Sequence, residues 1–255
     1  HFDYQITGGT LFQSDGTTPI TEGAFLSVAE SQGGVRFLPL ANRNAVTASW
    51  TFTPSISPPI YQIATPLFTQ GRVYAVVWAG GADFTPSLVQ LDPATGNGSV
   101  VATATTVNHI NGATTYAPVV GQAMFNGASA LALFVNTGSS VTAYKMDDPT
   151  QSLTFTLPNA STNDSGVVTG LTYDDGSRPG GTATASSLWF SDNQGNLWQL
   201  NNTLTPVGTA FSLGNHVIVL TTPVLYKDTQ GGMTVVVGAF GGESASTPGL
   251  TLFDP

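Results

Sequence analysis

Apolar and polar positions along this chain fall into short runs punctuated by Gly, Pro, Asn and Asp. In residues 188–201, Leu188-Trp189-Phe190 and Leu197-Trp198-Gln199-Leu200 flank the polar segment Ser191-Asp192-Asn193-Gln194-Gly195-Asn196. Two apolar runs around a Gly-containing polar segment predict a pair of antiparallel strands joined by a tight turn. The ending of this unit, an apolar strand running into a polar turn, recurs at the anchors Leu40, Leu91, Met146, Leu200 and Phe253, which are 51, 55, 54 and 53 residues apart. A second series keeps step with the first. Thr65-Pro66-Leu67-Phe68, Ala117-Pro118-Val119-Val120 and Thr222-Pro223-Val224-Leu225 open three of the repeats, with Gly9-Thr10-Leu11-Phe12 and Thr169-Gly170-Leu171-Thr172 in the other two places.

Repeats of about 50 residues with four short strands apiece predict propeller blades. The expected fold is therefore all-β: a single five-bladed β-propeller of four-stranded antiparallel blades over residues 1–255. The blades span about 8–53, 65–105, 116–158, 167–213 and 222–255. The first blade divides into strands 9–13, 23–30, 34–40 and 46–53, and the second into 65–69, 72–79, 87–91 and 98–105. The last blade lacks a fourth strand. The alternating run Phe2-Asp3-Tyr4-Gln5-Ile6-Thr7 has no place in the first blade so laid out, so strand 2–7 is expected to close the ring there and cover its edges.

Composition narrows the function. Six Lys+Arg against fifteen Asp+Glu give a net charge of −9, and the cations Arg36, Arg43, Arg72, Lys145, Arg178 and Lys227 are scattered. No nucleic-acid partner is expected, because phosphate binding needs clustered cations. An anionic membrane surface would repel the chain for the same reason. The absence of Cys removes disulfides, thiolate metal sites and cysteine nucleophiles. The chain opens on His1 without a basic-then-apolar leader. No apolar run approaches the ~18 residues of a membrane helix, so the chain reads as a processed ectodomain, extracellular or at the cell surface, with no membrane insertion. Acceptor sequons stand at Asn97-Gly98-Ser99, Asn159-Ala160-Ser161, Asn163-Asp164-Ser165 and Asn201-Asn202-Thr203.

The blocks Leu197-Trp198-Gln199-Leu200, Leu91-Asp92-Pro93-Ala94-Thr95-Gly96 and Phe253-Asp254-Pro255 resemble the blade motif of quinoprotein-like (PQQ-type) β-propellers, whose third strand runs into a Leu-Asp-x-x-Thr-Gly turn. The stretch Phe190-Ser191-Asp192-Asn193-Gln194-Gly195-Asn196-Leu197-Trp198, with Val235-Val236-Val237-Gly238, is similar to the C-terminal propeller of type IV pilus tip adhesins. That second resemblance implies an extracellular binding domain at the end of a pilus. With only Trp50, Trp78, Trp189 and Trp198 to form a docking pattern, no quinone or other cofactor is expected.

In a propeller, the loops between blades and those joining second to third strands share one face, which usually carries function. The ligand-binding candidates on that face are Asp83, Phe84, Asn108, His109, Asn163, Asp164 and Glu243, with Asn111 and Asp192 beside them. Asp83 and Glu243 form a conceivable acid pair for glycoside hydrolysis, yet the inner strands that hold such acids in five-bladed glycosidases contain none here. Calcium is the one cation the loops invite, through the oxygens of Asp192, Asn193 and Asn196. No bidentate Glu follows, and a turn explains the same residues. Asp174-Asp175-Gly176 and Asp147-Asp148-Pro149 read as turn chemistry first and cation ligands second. The expected function is a non-enzymatic adhesion or assembly domain whose partner is a protein or glycan surface, with pilus components the sharpest version. The alternatives are a lectin-like propeller and, behind it, a glycoside hydrolase.

Overall fold

A computed structural model of the protein describes residues 3–7, 11–12, 19–20, 25–29, 35–39, 50–52, 60–63, 66–70, 72–79, 85–92, 97–103, 116–158, 169–212, 218–219, 221–240 and 248–253. All of their regular structure is β, in antiparallel pairs, and no helix occurs among the described residues. The chain divides into two compact units, His1–Val107 with Thr115–Pro118, and Asn108–Thr114 with Val119–Pro255.

In the first unit, β1 (Asp3–Thr7), β2 (Leu11–Phe12), β3 (Pro19–Ile20), β4 (Phe25–Ala29), β5 (Val35–Pro39) and β6 (Trp50–Phe52) form a sheet of order β1-β4-β5-β6 and a small β2-β3 pair. The outer three strands of this sheet lie where the sequence placed them. The innermost does not: β1, expected to close the ring against the last blade, pairs with β4 instead, and among the described residues 11–12 pair only with 19–20. The register, Asp3↔Ala29 through Thr7↔Phe25, contains no bulge, so two period-two strands match along their whole length. The partner is also near in sequence, which keeps the loop-closure cost low.

The second sheet of this unit contains β7 (Ile60–Ile63), β8 (Leu67–Thr69), β9 (Arg72–Ala79), β10 (Thr85–Leu91) and β11 (Gly98–Thr103), in the order β11-β10-β9-β7 with β8 also on β9. Its inner strand is split in two. β8 pairs the start of the eight-residue β9 and β7 pairs its end. Pro66, which has no N–H to give to a ladder, stands at the break.

The second unit contains three sheets. The third sheet is β12 (Val119–Phe125), β13 (Ala128–Asn136), β14 (Ser140–Lys145) and β15 (Ser152–Thr156), in that order. The fourth is β16 (Thr172–Asp174), β17 (Ser187–Ser191), β18 (Asn196–Asn201) and β19 (Phe211–Ser212). The fifth joins β20 (Ile218–Val219), β21 (Val224–Lys227), β22 (Met233–Phe240) and β23 (Pro248–Phe253), with β20 and β21 end to end along one edge of β22, and β23 on the other. The split inner strand recurs here, around Pro223. Where the ladder lapses, the Thr221 hydroxyl accepts the Gly238 N–H at 2.7 Å. In the fourth sheet Thr169 does the same for Ser191 at 2.9 Å. Beside Thr222-Pro223 and at Thr169-Gly170, the lost backbone acceptor is thus replaced by a threonine hydroxyl.

β17 is buried from end to end. Leu188 and Phe190 pack with Phe134, Val141, Leu200 and Leu204 on the side of the third sheet. Trp189 turns the other way, onto Leu197, Met233, Val235 and Val237. Rings reinforce both seams: Phe155–Trp198 at 5.3 Å and Phe190–Trp198 at 6.5 Å on one side, Trp189–Phe211 at 6.2 Å on the other. Tyr173 of β16 stacks on Phe134 at 5.7 Å, and its hydroxyl accepts the Gln122 N–H at 2.9 Å. Its ring lies directly over the Cα of Gly121, where any Cβ would collide with it. Gly121→Ala is expected to displace the ring and destabilise the protein by about 1–3 kcal/mol, measured by urea unfolding, with Gly127→Ala, which meets no neighbour but has φ +83, as a backbone control.

Candidate functional site

Each sheet has two ends. In the third and fourth sheets, the turns joining first to second and third to fourth strands lie at one end, and those joining second to third strands at the other. The second end is the face on which sequence reasoning placed the ligand-binding residues. Of those, Asp83, Phe84, Asn108, His109, Asn163, Asp164 and Glu243, with Asn111, lie outside the described residues. Asp192, Asn193 and Asn196 are described, and the structure brings them together in the β17–β18 turn.

Asp192 is 4% exposed, and its carboxylate organises that turn. Oδ1 accepts the backbone N–H groups of Gln194 and Asn196, both at 2.9 Å. Oδ2 accepts the Asn196 side-chain amide at 3.0 Å and the Trp198 indole N–H at 2.7 Å. Four donors therefore hold the two oxygens that a cation would need. Trp198 in turn packs into the apolar seam between the third and fourth sheets, so the polar turn and the core position each other. Among the described residues, no group of three or more His, Asp and Glu side chains converges as a metal shell would.

The opposite end carries the densest ionic cluster among the described residues, and sequence reasoning did not place it. Asp174 ends β16, with its side chain fully buried. Arg178 grips it in a fork, Nη1 to Oδ1 at 3.0 Å and Nη2 to Oδ2 at 2.8 Å. Lys227, from β21 of the next sheet, places Nζ 2.7 Å from Asp174 Oδ1 and 2.7 Å from Asp175 Oδ1. The backbone N–H of Gly176 and that of Ser177 cap the two carboxylates at 3.0 and 2.9 Å. Alongside, Gly181 and Gly231 bring the two loops so close that a Cβ on either would meet the other's backbone at 2.6 Å. The sequence signal was the 175–186 insertion between β16 and β17, which holds Arg178, while Lys227 falls one repeat after Asp175.

Electrostatics follow from this geometry. Burial pushes the Asp174 carboxyl upward, but hydrogen bonds from Arg178, Lys227 and the Gly176 amide outweigh it and leave the group below its ordinary value. Lys227 and Ser177 hold Asp175 well below the usual carboxylate range. Burial opposes the charge on Lys227, yet the two carboxylates raise its pKa, and hydrogen bonding to Asp174 does the same for Arg178. All four groups are fixed in their charged forms. The cluster holds charge across two sheets and has no member poised to exchange a proton near neutrality.

No family model matches the sequence, and no curated protein matches it. Among solved structures, the chain is similar to BamB from Moraxella catarrhalis, with 13% identity and a TM-score of 0.51 over 98% of this chain and 77% of that one. It is also similar to quinohemoprotein alcohol dehydrogenase from Comamonas testosteroni, with 13% identity and a TM-score of 0.53 over 99% of this chain and 45% of that one. The chain shares the β-propeller fold of these proteins. The likeness is one of fold.

Two measurements test the site as built. Asp174→Asn leaves Arg178 facing a neutral partner and Lys227 with Asp175 alone, and is expected to cost about 3–5 kcal/mol at neutral pH. Because the folded carboxyls titrate below their unfolded value, this contribution is complete above pH ~4 and disappears as pH falls through the lowered folded values. Urea unfolding at neutral and acid pH should show the gap between wild type and variant closing in acid. Asp192→Ala orphans the Trp198 indole and two turn amides and is expected to cost about 1–3 kcal/mol. Thermal unfolding of that variant should show the same loss in calcium and in chelator.

Proposed function

We propose that this propeller is a non-enzymatic, extracytoplasmic binding domain for adhesion or assembly, with five blades and a protein partner. One observation carries the reading. β21, which pairs only with β22 among the described residues, presents Val224 and Tyr226 to solvent at 59% and 62% exposure, while Leu225 and Lys227 turn inward. An edge strand with alternating apolar side chains offers backbone pairing and apolar contact together, which suits an extended polypeptide better than a sugar. The ionisable groups nearest to it are engaged with one another, which supports a scaffold over a reactive centre. Association with a type IV pilus is the sharpest form of the proposal and rests on the motif resemblance in residues 190–198. The reading calls for no cofactor.

The test compares binding of the purified protein to type IV pili and to a glycan array. Saturable binding to pili is expected, weakened by about 2 kcal/mol in Tyr226→Ala, the size of an aromatic hot spot, with the fold intact by circular dichroism. Array signal competed by free sugar and unchanged in Tyr226→Ala would replace this reading with a lectin.

A further inference from the structure

We propose that Asn201 is an acceptor for an N-linked glycan. The Asn201-Asn202-Thr203 sequon begins at the last residue of β18 and runs into the tight turn that follows, at the end of the fourth sheet that also holds the ionic cluster. The Asn201 side-chain oxygen accepts three donors: the Thr203 N–H at 3.0 Å, the Thr203 hydroxyl at 2.7 Å and the Thr205 N–H at 2.9 Å. The carboxamide is therefore held by its oxygen alone. Its Nδ2 has no partner among the described residues and is not one of the buried polar atoms left without a partner there, so it reaches solvent.

The turn is fixed from below. Leu204 is 4% exposed, packs into the core with Leu200 and Phe190, and sits at φ 56. A left-handed leucine costs about 1–2 kcal/mol, and such a conformation persists only where its surroundings over-determine it. Asn202 adds a tether, its carbonyl accepting the Met124 N–H of the neighbouring sheet at 2.9 Å. Thr203 and Thr205 are exposed, leaving the approach to Nδ2 open. The sequon at Asn97 is built differently, because its second and third residues, Gly98 and Ser99, belong to the β10–β11 ladder, whereas those after Asn201 have left the strand; the sequons at Asn159 and Asn163 lie outside the described residues.

The sequon carries a hydroxyl at its third position, and here the Thr203 hydroxyl donates to the carboxamide oxygen, which draws electron density from the amide and makes Nδ2–H more acidic. In the transfer, Nδ2 forms a bond to the anomeric carbon of a lipid-diphosphate-linked oligosaccharide. The bond from that carbon to the diphosphate breaks, the lipid diphosphate leaves with the electron pair, and the Nδ2 proton passes to a base of the transferase. The assignment rests on the extracytoplasmic part of the proposed function but not on its partner.

The deciding experiment incubates the folded, purified protein with a purified oligosaccharyltransferase that accepts Asn-x-Thr and its lipid-linked oligosaccharide, followed by peptide mass spectrometry. A mass shift of one oligosaccharide at Asn201, lost in Thr203→Ala and retained in Thr203→Ser, is the expected result. Both variants are first shown to be folded. Absence of transfer to the folded protein, while a synthetic peptide spanning residues 197–206 is modified, would overturn the assignment. Because the transferase is supplied, that failure leaves the location and partner of the domain untouched.

Discussion

A short sheet cannot bury enough surface on one face to be stable alone, and the unit containing Val119–Pro255 meets this constraint by covering the fourth sheet on both faces. β17 is where the constraint is sharpest. Its three apolar side chains alternate between two neighbouring sheets, so Leu188 and Phe190 need the third sheet and Trp189 needs the fifth. Full burial of each contributes roughly 1.5–3 kcal/mol, and the whole of it is available only when both neighbours are in place. The three sheets are therefore one cooperative structure, and the continuous Leu-Trp-Phe run is the mark that this requirement leaves on the sequence.

Polar contacts between sheets align the seams that apolar burial creates. Between the third and fourth sheets they are the Tyr173 hydroxyl on Gln122 and the Asn202 carbonyl on Met124. Between the fourth and fifth they are the Thr172 hydroxyl on the Pro223 carbonyl and Lys227 on the Asp174–Asp175 pair. Apolar packing is tolerant of sliding, whereas these contacts have one geometry each. The fork of Arg178 on Asp174 is an internal brace of the same kind, since it keeps the buried carboxylate charged and aimed at the lysine that arrives from the next sheet.

Much of this was legible in the chain. The anchors ending at Leu91, Met146 and Leu200 fall at the ends of β10, β14 and β18 because an apolar strand must run into a polar turn wherever a sheet meets solvent. Asp192 was legible as turn chemistry, since a carboxylate two residues before a backbone donor closes such a turn in any context. The partner of β1 was not legible: alternation specifies which face of a strand is buried and leaves its neighbour open. β7 is hidden because it lies ahead of the Thr65-Pro66 mark that opens the repeat. The ionic cluster escaped because the 175–186 insertion breaks the repeat, and its members become neighbours only once two inner strands are side by side.

The scarcity of basic residues has a consequence beyond charge. Secreted proteases of trypsin-like specificity cut after Lys or Arg and need the backbone around that residue to be extended and unpaired. The chain presents only six such residues. Arg36, Arg72, Lys145 and Lys227 lie within strands β5, β9, β14 and β21, already engaged in ladders, and Arg178 is clamped on a buried carboxylate. Apart from Arg43, which lies outside the described residues, these sites offer this class of enzyme few places to begin while the protein stays folded, a resistance built from composition and topology together and obtained without a single disulfide.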